Sequence, residues 1–309
     1  MSRPRVYSSL KQAASGRFLD PKALARISRL DLLARTLVEG FISGLHRSPY
    51  LGRSLDFAEH RPYMPGDDIR KIDWRVFART DRYYVKQFDA DTNTNCTIAL
   101  DISKSMDFGL TGISKFDYGR YLAACLAYFS HKQRDRVGLV TFDHKIVDFV
   151  PPSAKHLELV LQTIERTTCS RDGSLWGPIE SVAGSIKRKS IVIWISDFYE
   201  DPDRIVAAMG LLKGKSNDVL VFHLLDEAEI DLPFTEAAEF VDLESGERLP
   251  VVPQAARSEY RERIEAHISE LRAKLTEGGI DYAFFNTSTP LDFALFSYLS
   301  NRKKAARVR

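Results

Sequence analysis

Two apolar runs in this chain break off on an aspartate, and together they fix most of what it can become. Ile98-Ala99-Leu100 ends on Asp101, and Ile191-Val192-Ile193-Trp194-Ile195-Ser196 ends on Asp197. Short runs that stay apolar at nearly every position read as strands buried on both faces, the mark of a parallel sheet covered by helices. In such sheets ligands collect outside the carboxyl ends of the strands, where the strand order reverses. The loop after Asp101 adds Ser103 and Ser105 at alternate positions. One carboxylate and two hydroxyls are hard oxygen donors of the kind that Mg²⁺ and Ca²⁺ require. The same residue types also cap helices, so the loop by itself leaves both readings open.

Around these strands the periodicity alternates. Ser114, with Asp117 three residues on, opens a helix whose buried stripe is Leu122, Cys125, Leu126 and Phe129. Strands follow over residues 137 to 142 and 146 to 150, with Asp143-His144 as the turn. Helices over about 155–166, after Ser174 to about Lys187, and over about 203–213 are separated by the Trp194 strand and followed by a strand at 219 to 225. Residues 230–254 depart from the alternation, since Phe240 to Leu249 reads as a hairpin with its turn at Ser245-Gly246, an insertion. A charged helix over about 255–277, a strand at 282 to 286 and a helix from Leu291 close the chain. The pattern predicts an α/β fold with a mostly parallel sheet and helices on both faces.

The first 90 residues differ in kind. They hold 17 Lys and Arg against 10 Asp and Glu, a charge of +7, whereas residues 91–309 carry −5. Residues 1–20 are polar and are expected to be loosely ordered. Residues 21–90 should supply an N-terminal helix and an extended segment, and residues 91–309 the α/β domain. Pro21 opens a helical pattern of Leu24, Ile27, Leu30, Leu33, Leu37 and Phe41, with Gly40 and Gly44 marking its expected end. Beyond it Asp67, Asp68 and Asp73 interleave with Arg70, Lys71, Arg75 and Arg79 around Pro62, Pro65 and Gly66. This reads as a wrap held by Arg–carboxylate pairs, with Phe57, Trp74 and Phe77 as apolar plugs, and it is compatible with a partner-binding face. Tyr83 to Phe88 reads as a strand joining the sheet ahead of Ile98.

Several classes fall away. No apolar run approaches the ~20 residues of a membrane span, and the start lacks the apolar region of a secretory signal, so a cytoplasmic location is expected. Arg302, Lys303, Lys304, Arg307 and Arg309 form a basic tail that reads as a solvated terminus rather than a nucleic-acid site. Cys96, Cys125 and Cys169 show no Cys-x-x-Cys spacing, which points to core packing. The seven histidines lack ligand spacing, and His223, inside an apolar strand, reads as a satisfied core residue. No Gly-Lys-[Ser/Thr] or Gly-x-Gly-x-x-Gly nucleotide motif occurs.

Asp101-x-Ser103-x-Ser105 resembles the metal-ion-dependent adhesion site (MIDAS) of von Willebrand factor A domains. Asp172-Gly173-Ser174-Leu175 resembles that family's Gly-Thr loop, with Ser174 where Thr is usual, and Asp197 matches its last metal position. A second resemblance is broader. Gly52-Arg53, Phe57, Tyr63 to Asp68, Arg70, Ile72 to Trp74 and Ala78 to Thr80 reproduce the signature of the bacterial domain of unknown function 58, and the likeness continues to Arg257, Tyr260, Gly279-Ile280-Asp281-Tyr282 and Pro290-Leu291. The resemblance implies a von Willebrand factor A-like, Rossmann-like domain holding Mg²⁺, or Mn²⁺ or Ca²⁺. Ser103, Ser105 and Ser174 would touch the ion directly, with Asp101 and Asp197 nearby or through water. It implies a protein partner that offers an Asp or Glu to the metal, and a MoxR-type AAA+ ATPase for which the chain is a non-enzymatic adaptor in complex maturation. The competing expectation is a phosphatase-like, metal-dependent hydrolase with Asp101 as nucleophile. That chemistry wants a second carboxylate two residues on, where this chain has Ser103. Lys104 is placed to bring an ammonium that competes with a cation.

Overall fold

A computed structural model describes residues 29–47, 59–64, 72–87, 94–110, 112–169, 173–186, 189–243, 246–295 and 297–298. They fall into two compact units, one within Glu39–Thr92 and one taking the residues up to Val38 and those from Asn93 on.

Helix α1 (Leu30–Arg47) crosses the division in sequence and runs through Gly40 and Gly44 rather than ending there. Leu30, Leu33, Ala34 and Val38 are buried, and that packing outweighs the ~1 kcal/mol that each helical glycine forfeits. The earlier part of the expected pattern, Pro21, Leu24 and Ile27, lies outside the described residues.

In the smaller unit β1 (Glu59–Pro62) and β2 (Tyr84–Gln87) pair antiparallel on either side of helix α2 (Trp74–Thr80). This corrects the expectation that Tyr83 to Phe88 joins the main sheet, since β2 belongs to a two-stranded sheet with β1. Asp73 takes part as the cap of α2, accepting from the Val76 amide at 3.3 Å, while its own amide donates to the Tyr84 carbonyl. Phe77 stacks on Tyr83 with centroids 4.5 Å apart. Trp74, expected as a plug, is 59% exposed and meets Phe77 edge-on at 6.1 Å. Trp74→Ala should therefore change stability by less than about 1 kcal/mol, read as a melting temperature within a few degrees of wild type. Phe57, Asp67, Asp68 and the Gly52-Arg53 and Gly66 to Arg70 parts of the signature lie outside the described residues.

The larger unit contains the α/β domain. Its elements are β3 (Asn95–Asp101), a 3₁₀ turn (Lys104–Asp107), α3 (Lys115–Lys132), β4 (Arg136–Phe142), β5 (Ile146–Ser153), α4 (Leu157–Arg166), α5 (Trp176–Ser185), β6 (Ser190–Ser196), α6 (Pro202–Lys213) and β7 (Asp218–Leu225). A short α7 (Glu227–Asp231), the hairpin β8 (Ala238–Val241) and β9 (Arg248–Val251), α8 (Pro253–Glu277) and β10 (Asp281–Asn286) follow. Residues 291–295 are again helical. Six strands form one sheet in the order β10-β7-β6-β3-β4-β5, parallel throughout except for β5 against β4. The chain therefore winds outward from β3 through β4 to β5, returns to β6 on the other side of β3, and winds outward again. The gap between the carboxyl ends of β3 and β6 is the topological switch point.

Both faces of the sheet are covered. Ala99, Phe142, Trp194 and Val221 pack with Ile179 of α5, Met209 of α6 and Leu271 of α8. Trp194 fits because the neighbouring position on β3 is the small Ala99, leaving room for its ring against Phe142 at 4.6 Å. On the opposite face α3 presses against Leu100 and Leu224 at Gly119, where an added Cβ would come within 3.1 Å of Leu100. Gly138 sits at a register shift between β4 and β5, and a Cβ there would lie 2.7 Å from the backbone of both Val150 and Pro152. Gly138→Ala should cost about 1–3 kcal/mol through strand displacement, measured as a lower urea midpoint at unchanged slope. Cys96 and Cys125 are buried outside any disulfide, as packing roles require, and Cys169 is half-buried.

Candidate functional site

Asp101 is the last residue of β3, and the register sets Leu100 beside Ile195, so Ser196 and Asp197 leave β6 level with it. Both aspartates are buried, each 4% exposed. The Asp101 carboxylate is held from two sides: its Oδ1 accepts from the Ser103 amide at 2.8 Å and its Oδ2 from the Ser196 hydroxyl at 2.6 Å. The loop brings the Ser103 and Ser105 hydroxyls to 3.0 Å of each other. Ser174 arrives from the loop ahead of α5. Its amide donates to the Asp143 carbonyl, and the next amide, that of Leu175, donates to Glu200 at 2.6 Å. Asp101, Ser103, Ser105, Ser174 and Asp197 line one pocket of about 410 Å³ at the switch point. All five sequence candidates thus converge on it, while Asp172 lies outside the described residues.

The turn that delivers Asp197 is strained. Phe198, buried and not glycine, sits at φ 50°, a left-handed conformation that costs an L-residue about 1–2 kcal/mol. It is held there because its amide donates to the Ser196 hydroxyl and its carbonyl pairs with the His267 ring. The reversal carries Tyr199 and Glu200 to the pocket alongside Asp197.

Sequence reasoning missed the cation already present. Lys104, the expected competitor, is exposed. The ammonium that reaches the site belongs to Lys115, the first residue of α3, which is fully buried and donates to Asp197 at 2.8 Å and to Glu229 at 2.7 Å beneath the Tyr199 ring. Burial acts to lower the Lys115 pKa, but the charges of Asp197 and Glu229 outweigh it and hold the ammonium above its ordinary range. Glu229 is raised, because burial outweighs the stabilising charge of Lys115. Glu229 is itself fixed by α7, where it closes a capping box with Asp226, and Asp226 in turn accepts from Thr287. A signal existed in the sequence: a lysine at a helix amino terminus opposes the helix dipole and asks for a compensating carboxylate.

Among the described residues no ammonium pairs with Asp101. Burial first, and the charge of Asp197 second, push its carboxyl up to about 7, against the pull of the Ser196 and Ser103 hydrogen bonds. Asp197 and Glu229 share the one ammonium of Lys115, which leaves negative charge beside Asp101 and the Ser103 and Ser105 hydroxyls. That donor chemistry suits a hard divalent cation. Carboxylates alone do not make the site, for no cluster of three or more His, Cys, Asp or Glu with metal-binding geometry forms among the described residues. His223, expected to be a satisfied core residue, is satisfied on one side only: Nδ1 meets the Tyr282 hydroxyl at 2.7 Å, Nε2 has no hydrogen-bond partner, and burial lowers the ring to about 3.

Comparison with known proteins gives both family and neighbours. A family model described as "Protein of unknown function DUF58" matches residues 59–272. Uncharacterized protein Rv1480 of Mycobacterium tuberculosis and Uncharacterized protein Mb1516 of Mycobacterium bovis are each 26% identical over 298 residues, covering 93% of this chain and 92% of their own. Among solved structures, the conserved hypothetical protein BatB from Bacteroides thetaiotaomicron is 17% identical, with 68% of this chain and 99% of that one covered at a TM-score of 0.48. The SpRpn10 VWA domain is 11% identical, with 65% and 94% covered at a TM-score of 0.40. No helix among the described residues is long and apolar enough to cross a membrane.

Proposed function

We propose that this chain, which belongs to the DUF58 family, is a non-enzymatic interaction module that captures an acidic residue of a partner protein through a divalent cation. The observation that carries the reading is the charge at the switch point: Asp101 and Asp197 are buried together, and among the described residues the ammonium that offsets them is that of Lys115, between Asp197 and Glu229. Ser103, Ser105 and Ser174 would hold Mg²⁺ directly, with Asp101 and Asp197 behind them. A bound cation would supply a Lewis-acidic position to which a partner's Asp or Glu can attach. The chain's own residues do the rest: Ser196 and the Ser103 amide aim Asp101, Lys115 anchors Asp197, and Glu200 holds the Ser174 loop in place. Following the family resemblance, the partner we assign is a MoxR-type AAA+ ATPase, with this chain as its adaptor in complex maturation.

A phosphatase-like hydrolase is the alternative, and the geometry favours it less. The position two residues past Asp101 is Ser103, whose hydroxyl faces Ser105 rather than a leaving group's acid. Both Asp101 oxygens accept hydrogen bonds, which lowers their reach as nucleophiles. Two measurements test the proposal. Calorimetric titration with MgCl₂ should show one weak site in the wild type and none in Asp101→Ala, and a complex with the co-expressed ATPase should dissociate in EDTA. Turnover of a phosphorylated substrate that Asp101→Ala eliminates, with no metal-sensitive partner recovered, would replace the adaptor by the hydrolase.

A further inference from the structure

The pocket at the switch point is larger than a metal and one carboxylate need, and its two halves differ in chemistry. At about 410 Å³ it lies within the range of small-ligand pockets, roughly 300–1,000 Å³. One half is the donor cluster already described. The other is an apolar wall formed by Leu232, Phe234, Phe240, Val241 and Leu243, which come from the segment after α7 and from β8 with its turn. The wall is anchored: Arg257 of α8 donates to the carbonyls of Leu232 and Phe234 at 3.0 and 2.8 Å, and Tyr260 donates to the carbonyl of Glu229 at 2.6 Å. Phe234 packs edge-on against Phe240 with centroids 5.4 Å apart, while Val241 and Leu243 remain 47% and 37% exposed.

We infer that the pocket accepts an extended partner segment in which the metal-binding Asp or Glu stands within one or two positions of a bulky apolar side chain, and that the hairpin wall selects for that side chain. The inference rests on the metal-dependent capture proposed above. Charge decides what the wall can hold. Asp101, Asp197, Glu200, Glu229 and Asp242 all line the pocket, and the Lys115 ammonium is already engaged by Asp197 and Glu229, so a second acidic group on the occupant would meet mostly like charge. An acidic group has one place to go, beside the cation, and the group within one or two positions of it along the segment must be uncharged and apolar to cover Phe240 and Leu243. The wall then acts by burial, which is worth about tenfold or more for one large apolar side chain.

A random octapeptide library displayed on phage, panned on the full chain in MgCl₂ and eluted with EDTA, tests this. The expected eluate is enriched in Asp or Glu flanked within one or two positions by Phe, Leu, Ile, Met, Trp or Tyr. For a synthetic peptide from that pool, replacing the flanking apolar residue by Gly should weaken binding at least ~10-fold to the wild type and hardly at all to Phe240→Ser/Leu243→Ser. Unchanged Mg²⁺ titration of that double variant shows that it remains folded. An eluate rich in acidic residues without an apolar neighbour would overturn the wall's role and leave metal-dependent capture standing. Enrichment of Lys or Arg peptides that EDTA does not release would overturn both, since the carboxylates would then be binding cationic side chains themselves. No enrichment under any condition would likewise overturn the inference.

Discussion

Lys115→Met should lose about 3–5 kcal/mol of stability, the range observed when one member of a buried ion pair is deleted and the other is left unpaired. Lys115 is 0% exposed, and its carboxylate partners Asp197 and Glu229 are only 6% and 15% exposed at the side chain, so methionine strands two charges where water hardly reaches. Methionine matches the volume of the lysine stem, which separates lost charge from lost packing. A cycle with Glu229→Gln makes the test sharper. The double variant removes one stranded charge and should be less destabilised than the sum of the single variants, by an interaction of about 1–3 kcal/mol. Urea unfolding of the four proteins at pH 7 reads this directly. A single-variant loss under about 1 kcal/mol would show that Asp197 and Glu229 find water once the ammonium is gone.

Asp101→Asn should invert the usual relation between stability and binding. In EDTA at pH 8, above the value of about 7 to which burial and Asp197 push the Asp101 carboxyl, the wild type holds an ionised group that the fold disfavours. An acid raised in the folded state contributes stability that is fully present below its unfolded pKa, near 4, and is lost as pH climbs from there through about 7. Asparagine has the same shape and no charge, so the variant should melt higher than the wild type in EDTA, by about 2–4 °C for each kcal/mol relieved in a domain of this size. Saturating Mg²⁺ reverses the order. Cation present at 100 times its Kd stabilises the wild type by roughly 2.7 kcal/mol and should leave Asp101→Asn where it was. Scanning calorimetry with and without Mg²⁺ gives four melting temperatures whose ranking carries the result. An Asn variant that melts below wild type in EDTA would mean that the carboxylate is favoured in the fold without metal.

What could be read in the sequence was what local pattern carries. The apolar runs ending on Asp101 and Asp197 read as two buried strands of a mostly parallel sheet, because a run buried on both faces has few other homes, and the structure sets them side by side; the hairpin at Gly246 was visible from its turn residues. The convergence of Ser103, Ser105, Ser174, Asp101 and Asp197 on one pocket followed once the loops were placed at the strand ends. Contacts across long sequence separation were not legible. Lys115 meets Glu229 across 114 residues, and nothing near either names the other. Glu200, which no local pattern singles out, accepts from the Leu175 amide and so stands behind the Ser174 loop. Trp74 illustrates the opposite error. Composition made it a plug, whereas exposure is decided by which face of a seven-residue helix happens to be covered.

The way the β8–β9 hairpin is attached has a consequence for how the pocket can be altered. It enters after α7 and leaves into α8, and its anchoring passes through main-chain carbonyls, those of Leu232 and Phe234 to Arg257 and that of Glu229 to Tyr260. Carbonyl anchors are indifferent to the side chain that bears them. Val241 and Leu243 near the turn and Leu249 on β9 are exposed, and the hairpin's two-stranded sheet is separate from the six-stranded sheet that carries Asp101 and Asp197. The fold behaves as a fixed socket with a replaceable rim. A new hairpin sequence grafted between Leu232 and Pro253 would change the apolar wall of the pocket while leaving Asp101 and Asp197 on their own strands.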